Sequence, residues 1–368
     1  MSFLKQNQNF EKWLRTQCSV VEADLARKHR RMRHDAMSFL RATYFYWSKH
    51  IEETCKDVRH APAVLAVGDI HVENFGTWRD AEGRLIWGVN DFDEAAVMPY
   101  TFDLVRLATS VKLFPDRMLS MGRACEAILV GYRRGLKHPG PTLLDEHSTW
   151  MRPLVACTDG DRRLFWRDID NLHPCGPPEE ALAALDSVLP NGAKVEFHAS
   201  WAKGGGSLGR PRFVLVAHYQ GGRIVREAKA FVTSSWDWAH HKQGNPDNFM
   251  RLATGHYRAP DPHLDVHKHA YIVRRVAADS RKIDLSAEGN SLMDERILAA
   301  MGADLAAIHC TDKRKAALID EDLKGRGDDW LRDGTERAAD WAEGVYKDYV
   351  RQTPHLDKEK DKPGPCHS

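Results

Sequence analysis

Apolar positions recur every three or four residues from about Asn9 to Ile51, and "FLRATYFYWSKHI" sets Phe39, Tyr44, Trp47 and Ile51 on one helical stripe. The pattern then shortens. "APAVLAVGDI" reads as a buried strand that delivers a loop, and "RDAEGRLIWGVNDFDE" as a hairpin turn at Glu82-Gly83 followed by a strand, Leu85 to Val89. That strand ends in three carboxylates, Asp91, Asp93 and Glu94. Helical spacing returns after Pro99 in "PYTFDLVRLATSVKLF" and again from about Met118 to Leu136. Residues 138–190 are mixed, rich in Pro, Gly and Asp, with one short helix at "PEEALAALDSVL". From Ala193 to Val232 the alternation is strand-like in three pieces. The first break is "GGGSLG" and the second Gln220-Gly221-Gly222, a hairpin turn. "HAYIVRRV" is a further strand. "SLMDERILAAMGADLAAIHC" is a helix with Leu298, Met301, Leu305 and Ile308 on one face, and "DWLRDGTERAADWAEGVYKDYV" is another. The class expected is α+β, with helices towards both ends and an antiparallel block between them. No internal repeat is visible.

The chain has 368 residues, enough for two lobes or domains. Its 53 basic and 52 acidic residues nearly cancel, so no global field recruits nucleic acid or an acidic membrane, and any charge-driven function must come from local clusters. The N-terminus is polar, no run of about 18 apolar residues occurs, and a cytoplasmic protein is expected. The seven cysteines are scattered without a C-x-x-C pair, which favours free thiols over a disulfide or zinc framework. The basic run "ARKHRRMRH" reads more plainly as a solvated helix face than as an anion site.

Three constellations carry chemistry. In "GDIHVEN", Asp69 and Asn74 stand five residues apart in a loop after a buried strand, the D-x-x-x-x-N spacing of a kinase catalytic loop. Such an Asp can take a proton from a substrate hydroxyl, while the Asn and a second Asp after the next strand, Asp91, hold a metal ion on nucleotide phosphates. Magnesium suits few protein oxygens, with phosphates and waters completing its shell. The bland alternative is an acidic loop with Asp69 capping a turn. "GGGSLG" contains G-x-G-x-x-G as Gly204, Gly206 and Gly209, with Ser207 between. A dinucleotide fingerprint would open a helix; here a strand follows, which fits a phosphate cover between antiparallel strands, or else a flexible hairpin tip. On the strand after the second turn, "IVREAKAF" offers Lys229 or Arg226 to the phosphates. Glu227 and Lys229 share one face and Arg226 lies on the other, so Lys229 is preferred.

These parts resemble a protein-kinase-like phosphotransferase, with the glycine loop after the catalytic loop instead of before it. "MGADLAAIHC" resembles the helix that precedes the catalytic loop in aminoglycoside phosphotransferases, yet lies near the C-terminus. A circular permutation accounts for all three placements. Over most of its length the chain also resembles the bacterial domain of unknown function 2252 family, in "MSFLRATYFYW", "GDIHVENFG", "NDFDEAAVMPYTFDLVRLATS", "GGGSLG", "REAKAF", "YIVRRV" and "LAAIH". The resemblance implies a two-lobed kinase-like fold. Residues 1–190 would form the first part of a mainly helical large lobe, 191–285 a β-rich nucleotide-binding lobe, 286–352 the helices completing the large lobe, and 353–368 a disordered tail. It implies Asp69 as catalytic base and His71 as organiser of its loop. Asn74 and Asp91 would be metal ligands, with Asp93 at or just behind the metal. Gly204, Gly206, Ser207 and Gly209, with Lys229 or Arg226, would bind nucleotide, and Asp103 would be the structural Asp of a large-lobe helix.

The function expected is phosphoryl transfer from Mg-ATP, or another nucleotide, to a hydroxyl of a small molecule, with no nucleic-acid or membrane partner. Two features depart from the family pattern. The metal triplet carries Asp93 in place of Gly, and no Glu stands plainly on a helix to pair with Lys229. Nucleotide binding without turnover, or nucleotidyl transfer, are therefore alternatives. A metallophosphatase is a third, because "GDIH" also opens two-metal hydrolase sites, but no "GNH" follows.

Overall fold

The computed structural model describes residues 2–115, 119–202, 206–282 and 293–358. The N-terminal apolar stripe folds as four helices, α1 (Phe3–Gln17), α2 (Glu22–Arg31), α3 (Ala36–Ala42) and α4 (Tyr44–Thr54). Their aromatics meet in a cluster that Tyr349 near the C-terminus joins, and within it Phe10 stacks on Phe45 with centroids 4.3 Å apart.

Four short strands frame the first polar loop: β1 (Ala63–Ala66), β2 (Phe75–Arg79), β3 (Leu85–Val89) and β4 (Ala96–Pro99). β2 and β3 form the expected hairpin, and β1 pairs antiparallel with β4, so the chain leaves β1 and returns beside it. The loop after β1 and the acidic turn after β3 are thereby held together. α5 (Tyr100–Lys112) and α6 (Met121–Lys137) follow. Every residue of α5 from Tyr100 to Val111 is buried, so this helix runs through the core and not over it.

The stretch 138–190 is more ordered than its composition suggests. It contains β5 (Thr142–Leu143), α7 (Arg152–Val155), α8 (Asp159–Asp170) and α9 (Glu179–Asp186). α8 starts at a capping box, in which Thr158 and Asp161 satisfy each other's backbone N–H groups. Next come β6 (Lys194–Ser200), β7 (Arg212–Tyr219) and β8 (Gly222–Ala230), then α10 (Ser235–Ala239), α11 (Asn248–Ala253), β9 (Asp265–His267) and β10 (Tyr271–Val276). These strands form one antiparallel sheet in the order β6-β7-β8-β10-β9. One face packs Phe213, Leu215, Ala228 and Val273 on α9. The other packs Val214, Val216 and Val225 against Ile169 of α8 and, further along, carries Arg212, Glu227, Lys229 and Arg274.

The chain ends with α12 (Glu295–His309), α13 (Lys313–Lys324) and α14 (Trp330–Gln352). α12 lies on α6 and α14 on α5, so the C-terminal helices complete the core begun by the first half of the chain. The tail expected to be disordered from 353 instead turns once more in 3₁₀ form over Pro354–Lys358; residues 359–368 lie outside the described residues. The result is mixed helix and sheet, as the α+β expectation required. Among the described residues no helix is long and apolar enough to cross a membrane.

Candidate functional site

The loop after β1 is fixed from beneath by α5. Asp103 accepts the backbone N–H groups of Val67 (2.8 Å) and Gly68 (2.9 Å). Gly68 has φ +82°, and a Cβ there would lie 2.4 Å from the Glu94 carbonyl, so only glycine fits the turn. His309 at the end of α12 holds Asp103 through Nε2 (3.0 Å), and its Nδ1 meets the Tyr132 hydroxyl (2.7 Å). One helical turn beyond Asp103, Arg106 takes the Asp69 side chain. Its Nε donates to Oδ1 (3.1 Å) and its Nη2 makes a second, closer contact. The guanidinium is fully buried against the Tyr44 and Trp47 rings, at 4.9 and 5.0 Å. Burial is the largest influence on the Asp69 carboxyl. It outweighs Arg106 and, with Glu94 and Asp91 adding repulsion, pushes its pKa up to about 7.

The rest of the loop is a 3₁₀ turn, Val72–Asn74. His71 Nδ1 accepts the Glu73 N–H (3.2 Å), and Ser110 accepts that of Val72 (3.0 Å). Burial, with Arg41, Lys282 and Arg106 nearby, holds the His71 pKa well below its usual value. The neutral ring thus acts as a loop brace. Asn74 donates Nδ2–H to the Asp69 carbonyl (2.5 Å), and its Oδ1 takes no hydrogen bond among the described residues. Asn90 N–H bonds the Asn74 carbonyl (3.2 Å), tying the loop to the acidic turn after β3.

That turn is gripped by cations from the large sheet. Lys229 Nζ lies 3.8 Å from Asp91 Oδ1 and closer still to Asp93. Arg210 bonds Asp93 (3.2 Å) and Glu94 (2.9 Å), and Glu94 also accepts the Ser235 N–H. Burial raises the Asp91 carboxyl, but Lys229, a hydrogen bond with the Asp93 side chain, Arg274 and Lys282 together hold it well below the usual range. Burial and the Asp91 charge push Asp93 the other way. Glu227 is clamped by Arg212 (2.9 Å) and Arg274 (2.8 Å). β3 itself is pinned from α12. Asp304 accepts the Val89 N–H (2.8 Å) and pairs with Arg258 (2.7 Å), which also donates to the Val89 carbonyl (2.5 Å).

Asp69, His71, Asn74, Asp91 and Asp93 all line one cavity of about 540 Å³, and Gly206 and Ser207 line it with them. A Cβ on Gly206 would stand 2.7 Å from the Arg41 carbonyl and 3.4 Å from Asp69 Oδ2, so the glycine turn crosses directly over the Asp. Gly209 makes the bend with φ +97°, and its carbonyl accepts the Val21 N–H (2.9 Å). Gly204 lies outside the described residues. Neither basic candidate on β8 is among the residues that line the cavity: Lys229 reaches it only through the acidic turn it pairs with, and Arg226 sits on the α9 face of β8, bonded to the Val188 carbonyl (3.1 Å) and near His263 (3.4 Å). Of the two basic candidates on β8, Lys229 is the one at the acidic turn.

Several residues that build or support the site carry no local signature. Arg106 shows only as a charge set among Leu104, Val105, Leu107 and Ala108 of α5, which has to find a buried partner. Asp304 and His309 are the same kind of signal on α12. Lys28 belongs to the basic run read as a solvated face, yet it is buried and lines the cavity. The oxygens available fit magnesium: Asn74 Oδ1 unengaged, Asp91 held ionised, and room beside them for phosphate and water. Among the described residues no three His, Cys, Asp or Glu side chains stand together as a metal-holding group.

No curated protein and no solved structure matches the chain. Residues 20–138, which run from the start of α2 through α6 and include the loop of Asp69 and the turn of Asp91, match the family model described as an uncharacterized protein conserved in bacteria (DUF2252), which supports kinship with that bacterial family.

Proposed function

We propose that this protein is a kinase-like phosphotransferase, built on a circularly permuted two-lobed fold, that moves the γ-phosphoryl group of Mg-ATP to a hydroxyl of a small molecule. The observation that carries the reading is the convergence, in one cavity, of the Asp69 carboxylate, the unengaged Asn74 Oδ1 and Asp91, with the Gly206 backbone crossing over Asp69. The order of parts supports the permutation: loop, hairpin and acidic turn come first, the sheet with its glycine turn and Lys229 next, and the helix bearing His309 last.

In this reading the acceptor oxygen attacks the γ-phosphorus, the bond to the β–γ bridging oxygen breaks, and ADP leaves with that electron pair. The hydroxyl proton passes to Asp69, whose pKa near 7 suits a base working at neutral pH. Arg106 fixes the carboxylate from below, and the glycine turn and Lys229 orient the phosphates. Magnesium, held by Asn74 and Asp91, would supply charge neutralisation on the phosphate oxygens.

A second reading has a specific observation behind it. Lys229 is paired with Asp91 and Asp93, and Glu227 with two arginines, so among the described residues Lys229 forms no pair with a Glu. That favours nucleotide binding without turnover, or nucleotidyl transfer. An ATP-consumption assay over a panel of hydroxyl compounds, with mass spectrometry of the products, separates the readings. A mass gain of one phosphoryl group on the acceptor, lost in Asp69→Ala while Mg-ATP still binds, is the expected result. Turnover unchanged in Asp69→Ala would remove Asp69 from the chemistry, and the absence of any thermal shift with Mg-nucleotides would remove both readings.

A further inference from the structure

Lys28 is a cavity residue that phosphoryl transfer, as described, leaves unused. Its side chain comes from α2, retains 7% exposure and lines the same cavity as Asp69. It makes no ion pair or hydrogen bond among the described residues. The carboxylates whose charge it feels are all committed elsewhere. Glu11 is bonded to His29 (2.6 Å) and Asn7 (2.7 Å), Glu94 to Arg210 and the Ser235 N–H, and Asp69 to Arg106. Burial, followed by repulsion from Arg210, lowers the Lys28 pKa to about 8. A buried ammonium without a counter-ion is costly, and a protein gains by retaining one where a ligand supplies the missing charge. A second donor stands in the same cavity. Arg41 pairs with Glu73 through Nη1, while its buried Nε has no partner. Phe10, Leu14 and Phe45 supply apolar lining to the same cavity.

We infer that Lys28 anchors an anionic group of the acceptor, so that the substrate is a small hydroxyl compound carrying a carboxylate or phosphate and an apolar carbon frame. The inference rests on the phosphotransfer reading for its acceptor and names the chemistry of that acceptor. The hydroxyl lies at Asp69, the anion at Lys28 with the Arg41 Nε beside it, and the frame against Phe10, Leu14 and Phe45. The nucleotide phosphates take Lys229 at the acidic turn and, among the cavity's further cations, Arg274.

The test uses the full chain, as wild type, Lys28→Met and Lys28→Arg. The probes are matched pairs: 3-hydroxybutyrate and 4-hydroxyphenylacetate against their methyl esters, and glycerol 3-phosphate against glycerol. Binding is titrated without nucleotide, and Mg-ATP is titrated separately. At least one anion is expected to bind tenfold or more tighter than its neutral counterpart. Lys28→Met should lose that tenfold and Lys28→Arg keep most of it, with Mg-ATP affinity within twofold of wild type throughout. The carboxylate and phosphate arms tell which anion the site prefers. Removal of an unpaired buried charge should leave the ligand-free melting temperature of Lys28→Met equal to or above that of wild type, which separates a lost subsite from a lost fold. The inference is overturned if no probe binds in a Lys28-dependent way, if esters bind as well as acids, or if Lys28→Met weakens Mg-ATP as much as the anions. Lys28-dependent anion binding without any Mg-ATP binding would sustain the subsite and overturn the phosphotransfer reading.

Discussion

Asp304→Ala offers a direct measure of how firmly the acidic turn is held from α12. The Asp304–Arg258 pair is 2.7 Å long, and its side chains are 1% and 3% exposed. Asp304 also accepts the Val89 N–H at 2.8 Å, two residues before Asp91. Truncation leaves the Arg258 guanidinium buried with only the Val89 carbonyl, at about 3–5 kcal/mol for a broken buried pair. The orphaned Val89 N–H adds about 1–3 kcal/mol if water cannot reach it. The two penalties overlap, because water entering the gap relieves both, so about 3–5 kcal/mol is the expected total. Asp279→Ala is the internal control: its pair with Arg79 is 2.6 Å long, but the side chains are 29% and 43% exposed, which limits the loss to under about 1 kcal/mol. Paired urea titrations of both variants against wild type read the difference. A third variant, Asp304→Leu with Arg258→Met, should recover much of the loss, since apolar replacement of a buried pair is often near neutral. The reasoning fails if Asp304→Ala loses no more than Asp279→Ala, or if the double variant is worse than the single one.

Three further outcomes follow from the site. Folding favours protonated Asp69, so its contribution to stability is fully present below its ordinary pKa near 3.8 and is lost as pH rises through about 7; metal-free wild type should lose about 2–4 kcal/mol relative to Asp69→Asn between pH 4 and 8. A difference that stays constant across that range would refute the raised pKa. Lys229→Met removes the cation shared by Asp91 and Asp93 and should weaken Mg-ATP binding at least tenfold in a titration, whereas Arg226→Met should leave it within twofold. Gly206→Val forces a side chain against the Arg41 carbonyl and should raise the Mg-ATP dissociation constant at least tenfold; unchanged affinity would mean that the turn does not cover the phosphates.

What could be read in advance was local. The apolar runs in "RLIWGV", "RFVLVAHY" and "YIVRRV" mark strands that the fold contains at Leu85–Val89, Arg212–Tyr219 and Tyr271–Val276, because strands covered on both faces bury successive residues. The polar loop and acidic turn were visible because their residues are close in sequence. α8 went unseen because "DGDRRLFWRDID" has few apolar positions, although Thr158 and Asp161 spell its capping box. α13 is similarly charged and similarly missed. The partners of the site residues were not legible at all. Nothing near Asp69 announces Arg106, and nothing near Asp91 announces Lys229, Arg258 or Asp304, since these pairings are made between segments tens to hundreds of residues apart. A charge inside an apolar helix signals that a partner exists without saying which.

The pinning of β3 by α12 has a consequence for how the molecule comes into being. A ribosome releases the Asp69 loop and the Asp91 turn more than two hundred residues before Asp304 and His309, the groups that hold them. Until Arg210 and Lys229 emerge the like charges of the acidic turn repel, and until Asp304 emerges the turn lacks its anchor. Functional assembly is thus a late event that waits on the most distant contacts in the chain, the kind that form slowly. A fragment confined to residues 20–138 would carry Asp69, Asn74 and Asp91 with Asp103 and Arg106 while lacking the glycine turn, Lys229 and the α12 anchors that complete the site.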